Sequence, residues 1–133
     1  MRLVLDASTA LSFLLEDEFD ATAQSVLAEV RHAGAVVPSL WHFELFNGLA
    51  AAERRGRITQ AGIAHGLHGL GGLRIETDNR PLDGLHIIDI ARRFTLSAYD
   101  STYLWLAIEL NLPLATRDER LSQAAREAGV VLF

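Results

Sequence analysis

The sequence predicts an α/β protein, a three-layer α/β/α sandwich around a central sheet of five mainly parallel strands. Short apolar runs such as Leu3-Val4-Leu5, Ala35-Val36-Val37 and Leu114-Ala115 recur along the chain. Each is too short for a helix and too apolar for a half-exposed strand, the pattern of strands buried on both faces. The segments between them carry helical spacing with capping residues at their borders. Such alternation implies a parallel sheet with helices on both faces.

Composition narrows the class. A length of 133 residues fits one domain spanning residues 1–133 with a single core. The residues are 50% apolar and 22% charged, which is ordinary for a globular protein. No apolar run is long enough to cross a bilayer, and Asp6 interrupts the amino-terminal one at once, so neither a membrane span nor a signal peptide is expected. The absence of cysteine excludes thiolate chemistry and fits a cytoplasmic location. A formal charge of -5 argues against nucleic-acid binding by bulk electrostatics. All 12 basic residues are arginine, which removes lysine-dependent phosphate loops and Schiff-base enzymes.

In chain order, Leu3–Leu5 is the first strand and ends at Asp6-Ala7-Ser8. Asp and Ser are favoured helix caps, so Asp6 reads either as the cap of a helix from about Ala10 to Leu15 or as a functional acid at a strand end. Glu16-Asp17-Glu18 marks the end of that helix, and Asp20 to His32 forms the next, closed by Gly34. The Ala35–Val37 strand stops at Pro38, and Ser39 caps a helix running to about Arg54. Glu44 and Asn47 share one face of it. The Arg54-Arg55-Gly56-Arg57 run is the best local candidate for phosphate contact, although basic residues also suit a helix C-terminus.

A helix from Thr59 to Leu70 carries His65 and His68, which lack the further ligands a zinc site needs. Leu73–Glu76 is the third strand, and Asp83 caps a helix bearing Ile87, Ile90 and the lone His86. Tyr103 to Ile108 is apolar almost all round and is therefore buried, with Asp100 in the first turn. A carboxylate there is costly unless paired, protonated or metal-bound, so structural and functional roles both stand. Leu114-Ala115-Thr116-Arg117-Asp118 repeats the opening pattern, a helix with Leu121, Ala124 and Ala125 follows, and Val130–Phe133 closes as a fifth strand.

Asp6, Glu44, Asp100 and Asp118 all lie at strand ends or helix beginnings, which a doubly wound sheet gathers along one edge. Four carboxylates in one cleft raise one another's pKa, and a hard divalent cation resolves the conflict. Oxygen ligands without cysteine favour magnesium, with manganese as a substitute. Ser8, Asn47 and Thr116 are placed to orient ligands or water.

The sequence resembles a PIN domain of the VapC toxin type over essentially its whole length. The resemblance rests on Leu3-Val4-Leu5-Asp6-Ala7-Ser8, on Pro38 with Glu44 and Asn47, on Tyr99-Asp100, and on Leu114-Ala115-Thr116-Arg117-Asp118 followed by Leu121, Ala124, Ala125 and Gly129. Relatives often carry a second proline before the glutamate, where this chain has Trp41-His42.

The resemblance implies a PIN-like fold and a magnesium-dependent endoribonuclease acting as the toxin of a type II toxin–antitoxin pair. Metal-activated water would cleave RNA to a 5′-phosphate and a 3′-hydroxyl. Asp6, Asp100 and Asp118 would hold the ion, with Glu44 as a further ligand. Arg117 is a candidate for the scissile phosphate, and Arg54, Arg55 and Arg57 for flanking ones. The resemblance also implies a homodimer and a VapB-like antitoxin, for which Leu11, Phe13 and Leu14 are a candidate groove.

Rival readings differ in what they require. A phosphatase of the haloacid dehalogenase type needs a second aspartate where Ser8 stands and a lysine that is absent, and a response-regulator receiver lacks the same lysine. A catalytically inactive PIN-fold binding module stays open, as does a metal-independent ribonuclease using His42 or His86.

Overall fold

Leu3, Val4 and Leu5 are all inaccessible to solvent, and the sheet is built outward from them. A computed structural model describes all 133 residues. Its elements run β1 (Leu3–Leu5), α1 (Ala7–Leu14), a single 3-10 turn (Glu16–Glu18), α2 (Ala21–Ala33), β2 (Ala35–Val37), α3 (Leu40–Arg54), α4 (Gln60–Gly71), β3 (Ile75–Thr77), α5 (Gly84–Phe94), α6 (Ala98–Leu110), β4 (Leu114–Ala115) and α7 (Glu119–Glu127).

The strands lie in the order β3-β2-β1-β4, all parallel. Leu3 faces Ala35 and Val4 faces Val36 on one side of β1, while Val4 and Leu5 face Leu114 and Ala115 on the other. The chain therefore leaves β1 in one direction, reaches β3, and returns to β1's far side. The crevice beyond the carboxyl ends of β1 and β4 is the topological switch point of the sheet, where α/β folds place their ligands. The Asp6 amide donates to the Ala115 carbonyl and locks the two strand ends together. The helices cover the sheet in two packed groups: α1 against α2, α3 and α4, and α6 against α5, α7 and β1. The α6 segment from Ser101 to Ala107 is buried throughout, as its apolar sequence requires.

The sheet has four strands where five were expected. Val130–Phe133 does run beside β4, but a single parallel bridge joins Leu132 to Leu114. The reason is the length of β4. β4 is only two residues long, so the tail pairs with it at Leu114 alone, whose N–H donates to the Val131 carbonyl and whose carbonyl accepts the Phe133 amide. The β3 strand also begins later than Leu73, and α1 begins at Ala7, directly behind the first strand.

The α2–β2 junction depends on Gly34, whose φ of 87° is a left-handed conformation. A Cβ there would stand 2.9 Å from the Arg74 carbonyl oxygen, which accepts the Ala35 amide. Gly34→Ala is expected to cost about 1–3 kcal/mol. Thermal unfolding followed by circular dichroism should show a Tm several degrees lower.

Candidate active site

Asp6 occupies the N-cap position of α1, yet its side chain makes no capping hydrogen bond. The three other aspartates at helix N-caps all do: Asp20 accepts from Ala23, Asp83 from His86 and Asp118 from Leu121. Asp6 is instead 5% exposed, and its Oδ2 accepts hydrogen bonds from Ser8 Oγ at 2.8 Å and Thr116 Oγ1 at 2.6 Å. Those hydroxyls in turn accept backbone amides from the loop after β4, Arg117 N–H onto Ser8 and Asp118 N–H onto Thr116. A hydroxyl that accepts an N–H while donating to a carboxylate is polarised in one direction, which strengthens the network. Burial pushes the Asp6 pKa up, the two hydroxyls pull it back, and the charge of Asp118 pushes it up again.

Asp100 stands in the first turn of α6, where the Ser97 hydroxyl caps its amide. Its pKa is raised by burial and then by the charges of Asp118 and Asp6. Glu44, half-buried on α3, is raised by burial and by the charges of Asp6 and Asp100, while the Tyr103 hydroxyl, donating to Glu44 Oε1 at 2.6 Å, opposes the shift. Asp118 spends Oδ1 on the α7 cap. The fold thus brings Asp6, Glu44, Asp100 and Asp118 within electrostatic reach of one another.

None of these four carboxylates pairs with a cation of the chain, whereas Asp17, Glu18, Asp20 and Asp78 all do. The cleft carries an uncompensated excess of negative charge. Its donor chemistry, oxygen ligands alone, fits a hard divalent ion. As they stand, no three of the chain's acids and histidines close into a coordination shell.

The other sequence candidates fall in different places. Ser8 and Thr116 hold Asp6, while Asn47 is exposed on α3. The Arg117 guanidinium is engaged by both oxygens of Asp20, and Arg57 by Asp17 and Glu18. Arg54 and Arg55 are exposed at the far end of α3, about 15 Å along the helix axis from Glu44. His42 bonds the Thr77 hydroxyl and His86 approaches Glu109. Leu11 and Leu14 are half-buried against Gly48 and Gly66, and Phe13 packs on the core. Tyr103 was hidden to sequence reasoning inside an apolar helix; its spacing of three residues from Asp100 is the one signal that marks it.

A parallel sheet of this order, with acids gathered at its switch point, defines a PIN-type α/β domain, and the PIN domain family profile matches residues 3–127. The chain belongs to the PIN-domain family and, within it, to the VapC group. It is 37% identical over 125 residues to VapC ribonuclease Mb0985 of Mycobacterium bovis, covering 93% of this chain and 91% of that protein. Ribonuclease VapC9 of Mycobacterium tuberculosis matches to the same extent. Among solved structures, PAE2754 from Pyrobaculum aerophilum superposes with a TM-score of 0.71 at 21% identity, covering 93% of this chain and 86% of that one. FitAcB from Neisseria gonorrhoeae gives 0.60 at 19% identity, covering 98% and 96%. These two likenesses bear on the fold.

The charge cluster has a consequence for stability. A carboxyl whose folded pKa is raised holds its proton more tightly folded than unfolded. Its stabilising contribution is complete below the ordinary carboxylate pKa of about 4 and is lost as pH climbs through the raised value. Asp6, Glu44 and Asp100 behave so, while arginine-paired Asp17, Asp20 and Asp78 contribute above that range and lose it in acid. In EDTA, Asp100→Asn should therefore raise the Tm at about pH 7.5 and flatten its decline from about pH 5 upward. Calorimetric melts of both proteins across that range check this.

Proposed function

We propose that this protein is a magnesium-dependent endoribonuclease acting as the toxin of a type II toxin–antitoxin pair. The observation that carries the reading is the group of four carboxylates without a cationic partner at the β1/β4 switch point. The ribonuclease names of its VapC relatives point the same way.

In this reading Asp6, Asp100 and Asp118 hold the ion, and Glu44 is a further ligand directly or through water. Bound there, magnesium or manganese supplies Lewis acidity and an activated water for phosphodiester hydrolysis. Thr116 and Ser8 orient Asp6, leaving its Oδ1 free of side-chain partners. Asp118 likewise keeps Oδ2 for the cleft while Oδ1 caps α7. Hydrolysis adds water across the P–O3′ bond and yields a 3′-hydroxyl and a 5′-phosphate.

The excess of acids keeps nonspecific affinity for RNA low, so binding falls to local contacts. Arg54 and Arg55 are free to meet flanking phosphates, whereas Arg117 reaches a phosphate only by exchanging Asp20 for it. Exposed Phe43 and Phe46 on α3, with Leu85 and Ile88 on α5, suit a homodimer contact. A VapB-like antitoxin is the cognate partner, in the cytoplasm; no helix is long and apolar enough to cross a membrane.

One observation favours a second reading, an inactive PIN-fold binding module: no three acids close into a ready coordination shell. One assay separates the two. Purified protein with magnesium should cleave total RNA, stop in EDTA, and resume when magnesium or manganese is restored. Asp6→Ala and Asp100→Ala should each lower the rate by about 100-fold or more, at or beyond the upper range seen for outer-shell metal partners. Cleavage that survives EDTA and leaves a cyclic phosphate would overturn the metal mechanism. No cleavage under any condition would favour the binding module.

A further inference from the structure

We propose that Tyr103 is a positioning residue, whose hydroxyl pins the Glu44 carboxylate and so keeps it turned toward the acidic cleft. The proposal rests on the nuclease reading only for what Glu44 then does.

The phenol is completely buried, and its hydroxyl donates to Glu44 Oε1 at 2.6 Å. The backbone amide of Ala7, the first residue of α1, faces the phenolic oxygen. One hydroxyl thereby joins α6 to α3. Tyr103 lies one turn beyond Asp100 on the same face of α6, so a single helix supplies one acid of the cleft and the anchor of another.

A buried tyrosine hydroxyl generally finds a partner, and a backbone carbonyl would meet that need. Here the partner is instead the one cleft carboxylate carried by a helix side chain with three torsions. Asp6 and Asp100 both repel Glu44. The residues beside it, Phe43, Phe46 and Asn47, are exposed, so the open direction for an unrestrained Glu44 is toward solvent. The phenolic O–H opposes that escape. With Oε1 held from below, Oε2 is the oxygen left to the cleft.

The test is a double-mutant cycle of Tyr103→Phe and Glu44→Ala in the full chain, the phenylalanine preserving core volume. Manganese binding is measured alone by calorimetry, and kcat and KM on a cleaved RNA. Tyr103→Phe should unfold cooperatively near the wild-type Tm, and should lower both manganese affinity and kcat by about 10- to 100-fold. KM should stay within about twofold, and the same change made in Glu44→Ala should add nothing further.

Undiminished effects in the Glu44→Ala background would overturn the proposal, because Tyr103 would then act through packing. Wild-type affinity and kcat in Tyr103→Phe would overturn it as well. If the wild type neither binds manganese nor cleaves RNA, the nuclease reading falls, and the phenolic proton decides the assignment. A downfield hydroxyl resonance that disappears in Glu44→Ala supports it; one that does not respond to Glu44→Ala overturns it.

Discussion

The fold depends on one hydrogen-bonded seam, where the end of β1 meets the end of β4. Backbone pairing brings the strands together, but the two hydroxyls on Asp6 Oδ2 decide what the seam is for. An aspartate this deeply buried is tolerated only because Thr116 and Ser8 satisfy one of its oxygens. The Thr116 hydroxyl that makes one of these bonds stands directly behind the two residues of β4. The site and the abbreviated sheet edge lie side by side.

Around that seam the chain holds its charges apart in a particular way. Its arginines neutralise the acids of the α1–α2 region and leave those of the cleft bare. Arg117 stands between Thr116 and Asp118, yet its guanidinium reaches outward to Asp20. A sequence optimised for stability alone would place a cation among Asp6, Glu44 and Asp100. Keeping them uncompensated in the folded state is the kind of local conflict that marks functional sites.

Much of this was legible in the residues, and the failures are instructive. Strand positions followed from short apolar runs, and the capping role of Asp83 from local chemistry. Asp6 was ambiguous because a helix cap and a strand-end acid use the same residue in the same place; the resolving partner, Thr116, lies 110 residues away. Tyr103 was hidden because an apolar helix, beyond the spacing of Tyr103 from Asp100, gives no sign of which hydroxyl will meet a carboxylate. The pairs Arg57–Asp17 and Arg117–Asp20 join exposed residues distant in sequence, for which no periodicity exists. Val130–Phe133 reads as a strand by composition, and its pairing was limited by the shortness of its neighbour.

The order of these parts along the chain bears on how the protein comes into being. Asp6 and Glu44 are synthesised early, Asp100 late, and Thr116 and Asp118 later still. Contacts of such wide sequence separation close last and at the greatest entropic cost. A nascent chain that has emerged only through α6 can bury its apolar helices, yet it holds Asp6 with Ser8 alone, lacking both β4 and the Thr116 hydroxyl. The acidic site therefore appears as a late event of biosynthesis, when β4 docks and the sheet is complete.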